Sequence, residues 1–328
     1  MENDIKVSVA LLSYKHAKYI RQCLDSILAQ EVNFKYEIIV GDDCSNDGTK
    51  EILLEYKEKY PDIFVLLLNE QNMGATKNNV HVLSHVRGQY VAGGESDDFW
   101  LDKHRMQKQA DFLDSHPEVA GVGGNYCSVD ENGENARVVL PNNMLGRYYT
   151  LKDYLKNGMI IHGNSIMRRR EVIPVHEEKY RKMRTAEPTM GDIITRVLLH
   201  VNGGIYAMPD VFLAHRVADS AGTSYSAQQK TRMLEFSYMY CRIVDNVSAY
   251  LDNKYDLSEM KANRTGAMLM TLLMGRRKVD RKELRKYMKS LPPKVRRRAY
   301  WKLLVKVWNK IKKRLAIILS GAKVDDLT

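Results

Sequence analysis

Four short apolar runs, residues 7–14, 36–41, 63–69 and 89–94, are separated by segments whose apolar residues recur at helical spacing. Strand-length runs alternating with helices specify βαβ units and a mostly parallel sheet, because parallel neighbours need a crossover between them. The segment 17–30 carries Ile20, Cys23, Leu24, Ile27 and Leu28 on one helical face. Residues 49–60 open on turn and capping residues, and 77–86 form the third expected helix. Further on, 103–115 reads as a helix ended by His116-Pro117, 119–125 as a strand, and Asp130-Glu131-Asn132-Gly133 as a turn. The pattern then loosens, with strands expected at 159–167, 205–208 and 211–216 and a helix at 192–201. From about residue 226 it is helical throughout. The expected division is therefore an α/β domain at 1–225 and a basic helical region at 226–328.

A chain of 328 residues with 44% apolar content can bury a large core. Its net charge of +11 is uneven, since residues 261–328 carry 21 Lys and Arg against 4 Asp and Glu. The remainder is mildly acidic. Cys23, Cys44, Cys127 and Cys241 form no CxxC pair and no disulfide framework, which points to reduced thiols and a cytoplasmic location. The opening Met-Glu-Asn-Asp is acidic where a secretion signal is basic. No run approaches the roughly 18 apolar residues of a membrane span, so any membrane contact is expected to be peripheral, on the inner face of the cytoplasmic membrane.

Two acidic clusters follow the second and fourth apolar runs: Asp42-Asp43-Cys44-Ser45-Asn46-Asp47-Gly48-Thr49 and Glu95-Ser96-Asp97-Asp98-Phe99-Trp100. Ligands of open α/β sheets bind beyond the carboxyl ends of the strands, so both clusters are expected to face one cavity. Asp43 is placed to accept a hydrogen bond from a base N–H, uracil N3 or a guanine edge, and Asp42 to support the turn. Ser45 to Gly48 also suit plain turn and capping duty. In Glu95-Ser96-Asp97 the two-residue spacing lets one carboxylate hold Mn²⁺ or Mg²⁺ directly while the other acts through water or a ribose hydroxyl. A metal there would neutralise a diphosphate leaving group.

Taken in order, these segments resemble the family 2 glycosyltransferases. The resemblance rests on Ser8 to Tyr14, Asp42 to Thr49, Asn72-Met73-Gly74 with Asn78, Glu95 to Trp100, and Lys103 with Gln107 and Gln109. It continues through His116 to Val119, Asn164 to Arg169, Gly191-Asp192 and Pro209-Asp210-Val211, covering roughly residues 5 to 220. It implies a GT-A type fold, a mostly parallel central sheet flanked by helices with a C-terminal helical extension, and an inverting transfer from a nucleoside-diphosphate sugar. UDP is the expected nucleoside diphosphate, and the acceptor a hydroxyl of a glycan or lipid-linked molecule in surface polysaccharide synthesis. The resemblance also implies donor contacts at Ser13, Tyr14, Asp43, Lys77, Glu95, Asp97 and Asp98, metal ligands at Asp97 and Glu95, and a catalytic base at Asp192, with Glu187 in reserve. A base is needed because an acceptor hydroxyl that keeps its proton is a poor nucleophile.

Three positions depart from the family pattern. Glu95 stands where Asp is usual, Lys77-Asn78-Asn79 stands where many relatives carry Ala-Arg-Asn, and His215-Arg216 is followed by Val217-Ala218-Asp219. Lys77 would then take an arginine's contact without its planar fork. His215 and Arg216 suit either the phosphates or a packing role. His162 and Asn164 fall where relatives line the acceptor side.

In the tail, Trp301, Leu304, Trp308, Ile311, Leu315 and Ile318 recur at three and four residues, with Lys302, Lys306, Lys310 and Lys313 opposite. Such a helix can lie on an anionic membrane, or bury its apolar stripe on the catalytic domain or on a second subunit of a homo-oligomer with its lysines solvated. The basic runs bring no nucleic-acid-binding motif with them, so nucleic acid is not an expected partner. Two other readings are a sugar nucleotidyltransferase, which would need a glycine-rich phosphate loop after the first strand, and a non-catalytic membrane-associated adaptor.

Overall fold

The computed structural model describes residues 5–158, 160–217, 231–275 and 279–319, the last seven of these by backbone alone. The chain divides into two compact units, Met1–Gly222 and Thr223–Thr328. The expected boundary near residue 225, Met159, and the side chains of Lys313, Leu315 and Ile318 lie outside the described residues.

In the first unit the strands are β1 (Ile5–Ser13), β2 (Lys35–Asp42), β3 (Phe64–Leu68), β4 (Tyr90–Glu95), β5 (Phe99–Trp100), β6 (Gly121–Val129), β7 (Arg137–Val138), β8 (Arg147–Tyr149), β9 (Met167–Arg169) and β10 (Ile205–Arg216). They form one sheet in the order β3-β2-β1-β4-β9-β6-β10-β5, with β7 on β6 and β8 on β10. The pairs among β3, β2, β1 and β4 are parallel, as is β6 with β10. The helices are α1 (Ile20–Leu28), α2 (Thr49–Lys59), α3 (Ala75–Ser84), α4 (Arg105–Ser115), α5 (Leu151–Asn157), α6 (Glu178–Thr185) and α7 (Asp192–Val201). Central strands of a covered parallel sheet are apolar on both faces, and Val7, Val9 and Leu11 of β1 are fully buried together with Ile20, Leu24 and Ile27 of α1.

Two expectations for the later strands need correcting. The expected strand at 159–167 is a 3-10 turn at Gly163–Ser165 followed by the three-residue β9. That short strand runs antiparallel to both β4 and β6 and fills the space between them. Gly123 leaves the room, since a Cβ there would lie 2.6 Å from Ile161 Cγ2 and 3.0 Å from Ile166 Cγ1. The two strands expected at 205–208 and 211–216 are one, β10, whose register against β6 shifts around Val211. Pro209 has no N–H to give the ladder, so the strand bulges there instead of ending.

The second unit contains α8 (Met233–Tyr250), α9 (Ser258–Leu273), α10 (Arg281–Ser290) and α11 (Pro293–Leu319). Its core gathers Cys241, Ala262, Met268, Tyr287, Met288, Leu291 and Val295. No helix among the described residues is long and apolar enough to cross a membrane. Cys23, Cys44, Cys127 and Cys241 are all free thiols.

Candidate active site

The two acidic clusters leave the sheet on either side of β1. In register, Ser13 lies beside Asp42 at the end of β2, and Leu12 beside Glu95 at the end of β4. The Ser13 carbonyl accepts from Asp43 N at 2.9 Å and the Leu12 carbonyl from Ser96 N at 3.1 Å. Both loops are thus tied to one strand end, on the side of the sheet where ligands of such folds bind.

The first cluster uses most of its carboxylate oxygens on its own chain. Asp42 accepts from Ser45 N at 2.9 Å and Ser45 Oγ at 2.6 Å, closing a turn in which Cys44 takes a φ of 65°. Asp47 accepts from Thr49 N, Thr49 Oγ1 and Ala17 N. Ser45 Oγ accepts from Lys15 N at 2.9 Å and Thr49 Oγ1 from His16 N at 3.0 Å. Three consecutive amides after β1 are therefore occupied by side chains of this cluster. Asp43 is buried, and its Oδ1 accepts from Met73 N at 2.9 Å and Asn69 Nδ2 at 3.2 Å, its Oδ2 from Gly74 N at 2.8 Å. That leaves Oδ2 with one acceptor position. The donors are aimed by Gly74, at φ 82°, and by the pressing of α3 onto β2, where Asn78 Nδ2 donates to the Gly41 carbonyl at 2.8 Å. A Cβ on Gly41 would lie 2.4 Å from Val82 Cγ2 and prevent that approach. Lys77 is exposed in the first turn of α3, and Tyr14 stands exposed just past β1.

In the second cluster only Asp98 is satisfied in this way. It is buried and accepts from Asn164 Nδ2 at 2.7 Å, His215 Nδ1 at 3.1 Å and Arg216 N at 3.0 Å. Burial by itself would raise its pKa, but the hydrogen bond and charge of His215, with the other two donors, hold the carboxyl below its usual range. The same bond raises His215. His162 packs on His215 with 4.4 Å between ring centroids, and burial, then the His215 charge, push it down to about 4. Arg216 is not free for phosphates. Its Nε donates to the Asp97 carbonyl at 2.9 Å, Nη1 to the Glu131 carbonyl at 2.8 Å and Nη2 to Gln22 Oε1 at 2.7 Å. Beneath the loop, the fully buried Arg105 stacks on Trp100 at 4.0 Å and donates to the Asn164 carbonyl at 2.7 Å. Gln109 holds the adjoining turn through the Val122 and Ser165 carbonyls, each at 2.9 Å.

Asp97 and Glu95 are left open. Asp97 Oδ1 is buried without a hydrogen-bond partner, as is Ser13 Oγ. Burial, resisted by His16 and aided by Asp98, raises the Asp97 carboxyl above its ordinary range. Glu95 opens toward the cleft, where poor solvation by the surrounding walls, then the charges of Asp97 and Asp98, push it up to about 7. Crowded carboxylates beside orphaned oxygens suit a hard divalent cation, which takes oxygen ligands. A nitrogen donor is also near, since ligand atoms of Asp98, His162 and His215 lie within 4.8 Å of one another.

Asp192 begins α7 after Met190, a non-glycine residue at φ 62°, a costly conformation. Gly191 between them can carry no side chain, because a Cβ would fall 1.2 Å from Nη1 of the buried Arg184. Arg196 Nη2 pairs with the exposed Asp192 carboxylate at 2.7 Å one turn along. The Asp192 charge adds a small part to the rise of Glu95, after burial and the charges of Asp97 and Asp98. Glu187 is half-buried in the preceding loop, whose Pro188 carbonyl accepts from Thr76 Oγ1 at 2.8 Å. Sequence reasoning did not single out His16, whose ring meets Ser96 Oγ at 2.8 Å and whose charge acts on Asp97. Its position just beyond Ser13-Tyr14 at the strand end was the available signal. Arg184 carried none, because its place under Gly191 depends on a contact between separate elements.

A model of the family described as glycosyl transferase family 2 matches residues 8–173, just over half of the chain. An uncharacterised protein of Mycobacterium tuberculosis is 42% identical over 113 residues, 34% of this chain and 33% of its own length. The putative glycosyltransferase EpsE of Bacillus subtilis is 33% identical over 141 residues, 43% of this chain and 50% of its own. The chain thus spans a third to a half of the length of these curated relatives. Among solved structures, that of residues 1–349 of S. aureus TarS in complex with UDP-GlcNAc superposes with a TM-score of 0.63 at 18% identity, covering 98% of this chain and 93% of that one. At that identity the likeness is one of fold, the GT-A type α/β sheet flanked by helices.

Proposed function

Since the chain belongs to glycosyl transferase family 2, we propose that it moves a sugar from a nucleoside diphosphate, UDP in the first instance, to a hydroxyl of a glycan or lipid-linked acceptor in surface polysaccharide synthesis. The observation that carries this reading is the pair of orphaned oxygens, Asp97 Oδ1 in the second acidic cluster and Ser13 Oγ at the strand end between the two clusters. The reading draws further support from the UDP-GlcNAc held by the similarly folded TarS. A lipid-linked acceptor would place the reaction on the inner face of the cytoplasmic membrane.

In this proposal the remaining acceptor position on Asp43 Oδ2 meets the base, and Lys77 and Tyr14 border the rest of the donor. Asp97 and Glu95 would hold Mn²⁺ or Mg²⁺, which would supply positive charge to the diphosphate. Asp98 keeps the loop in place through Asn164, His215 and Arg216. Asp192 takes the proton of the acceptor hydroxyl, and the oxygen bonds to the anomeric carbon from the face opposite the diphosphate. The bond from that carbon to the diphosphate oxygen breaks, so configuration inverts and no second, nucleophilic carboxylate is required. Arg196, paired with Asp192 at 2.7 Å, holds that carboxylate in place at the start of α7.

A nucleotidyltransferase is the weaker reading. Its loop after the first strand must offer backbone N–H groups to phosphates, and here those of Lys15, His16 and Ala17 are bonded to Ser45, Thr49 and Asp47. The deciding experiment incubates the purified chain with a panel of nucleotide sugars, Mn²⁺ or Mg²⁺, and glycan and lipid-linked acceptors, following nucleotide release and product mass. Sugar transfer with inverted configuration is expected. Absence of release with every donor, or formation of a nucleotide sugar from a sugar phosphate and nucleoside triphosphate, would end the proposal.

A further inference from the structure

Helix α11 is amphipathic in the opposite sense from a helix that buries its apolar stripe within its own fold. Val295 and Ala299 are buried, and α11 crosses α9 at Gly266, where a Cβ would meet Lys302 Cβ at 2.9 Å and the Ala299 carbonyl at 3.1 Å. On this packed side Lys302 pairs with Glu259, and Lys310 reaches Met274 Sδ at 3.4 Å. The opposite side presents Trp301, 66% exposed, Leu304, 61%, Trp308, 54%, and Ile311, 44%. These are spaced by three and four residues and therefore form one outward stripe. A run of large apolar side chains turned to water while lysines pack inward marks a surface that another phase or molecule covers.

The same face continues into a cavity of about 510 Å³ between α9, α10 and the start of α11. Leu284 and Met288 give it an apolar floor, and Arg285, Lys289, Arg296 and Arg297 surround it. Tyr300 lies at its edge, one helical turn before Leu304. None of the four cations has an acidic partner among the described residues, whereas neighbouring Lys294 and Arg298 are both engaged with Asp256. Unpaired cations around an apolar hollow, beside a stripe carrying two tryptophans, match the layering of a bilayer surface: phosphates outermost, then the interface favoured by tryptophan, then acyl chains.

We propose that the cavity and the outer stripe of α11 form a docking surface for an anionic phospholipid bilayer, with a headgroup phosphate among Arg285, Lys289, Arg296 and Arg297 and Trp301 and Trp308 in the interfacial layer. A second copy of the chain fits less well, because a symmetric contact on this face would bring the same unpaired cations together. A neutral bilayer would leave those cations without a counter-charge. The inference goes beyond the transferase reading and does not depend on it.

The test is flotation of the full chain with vesicles of phosphatidylcholine, alone or mixed with phosphatidylglycerol, together with tryptophan quenching by brominated acyl chains. Trp100 is buried, so quenching reports on Trp301 and Trp308. Binding should require phosphatidylglycerol and weaken at high salt. Arg296→Glu with Arg297→Glu should weaken it by about tenfold or more. Trp301→Ser with Trp308→Ser should abolish quenching and lower the bound fraction, while both pairs keep wild-type helicity by circular dichroism and wild-type nucleotide release. Equal binding to both vesicle types would overturn the proposal, as would charge-reversed protein that binds like wild type. So would a dimer in sedimentation velocity that the tryptophan substitutions dissolve when no vesicle binding occurs.

Discussion

The acidic cluster after β2 and the one after β4 flank the same strand end, and they use their carboxylates in opposite ways. In the first, Asp42, Asp43 and Asp47 all accept hydrogen bonds from neighbouring backbone, so their charge is used in shaping the loops that border the cleft. In the second, Asp98 alone is engaged, while Asp97 keeps a buried oxygen without a partner and Glu95 is pushed up to about 7. A buried oxygen left unbonded costs free energy that the fold must offset elsewhere, whereas a bonded one contributes to holding its loop. The first cluster is thus mostly frame, and the second holds the unsatisfied oxygens to which the proposal assigns the metal and diphosphate.

This contrast can be broken most directly at Asp97. Asp97→Ala is expected to remove metal-dependent donor binding and to lower transfer by more than about a thousandfold, with little loss of melting temperature. A large fall in stability with activity intact would make Asp97 part of the frame. Next in size is Asp192→Asn, for which transfer should fall by about 100-fold or more while donor affinity, measured calorimetrically, stays near wild type. Wild-type turnover would remove Asp192 from the base position.

In the first cluster the effect should move from activity to stability. Asp42→Ala leaves the N–H and Oγ of the half-buried Ser45 without their acceptor and is expected to cost about 1 kcal/mol in denaturant unfolding, with donor KM changed by less than about threefold. The smallest effect belongs to Asp47. Its hydrogen bonds with Thr49 and Ala17 outweigh the opposing effect of burial and hold its carboxyl below the ordinary 3.8. Being depressed on folding, it contributes stability that is present above about pH 4 and lost as pH falls through its lower folded value. Asp47→Asn should therefore flatten the acid limb of the stability profile below pH 4 and leave neutral-pH transfer unchanged.

Much of the frame was legible in local pattern. The runs that became β1 to β4 and the periodicities of α1, α2, α3, α4 and α7 are short-range properties, and they fixed where the acidic clusters would emerge. The strand expected at 159–167 failed because β9 is held by β4 and β6, which are distant in sequence. Arg216, which read as a phosphate ligand or a packing residue, is fully used by Asp97, Glu131 and Gln22. His16 gave a positional hint only. In α11 the alternation of lysines and apolar residues was plain, but not which side would face outward.

By itself, then, the sequence determined the alternation of strands and helices, the placing of carboxylates at two strand ends and the concentration of positive charge in the tail. These follow from side-chain periodicity and from the chemistry of single residues. The tertiary structure decided which carboxylates are satisfied and which are left open, and which face of α11 is packed. Those outcomes depend on donors and packing partners brought from elsewhere in the chain, such as His215 to Asp98 and Gly266 to Ala299, and no local pattern encodes them.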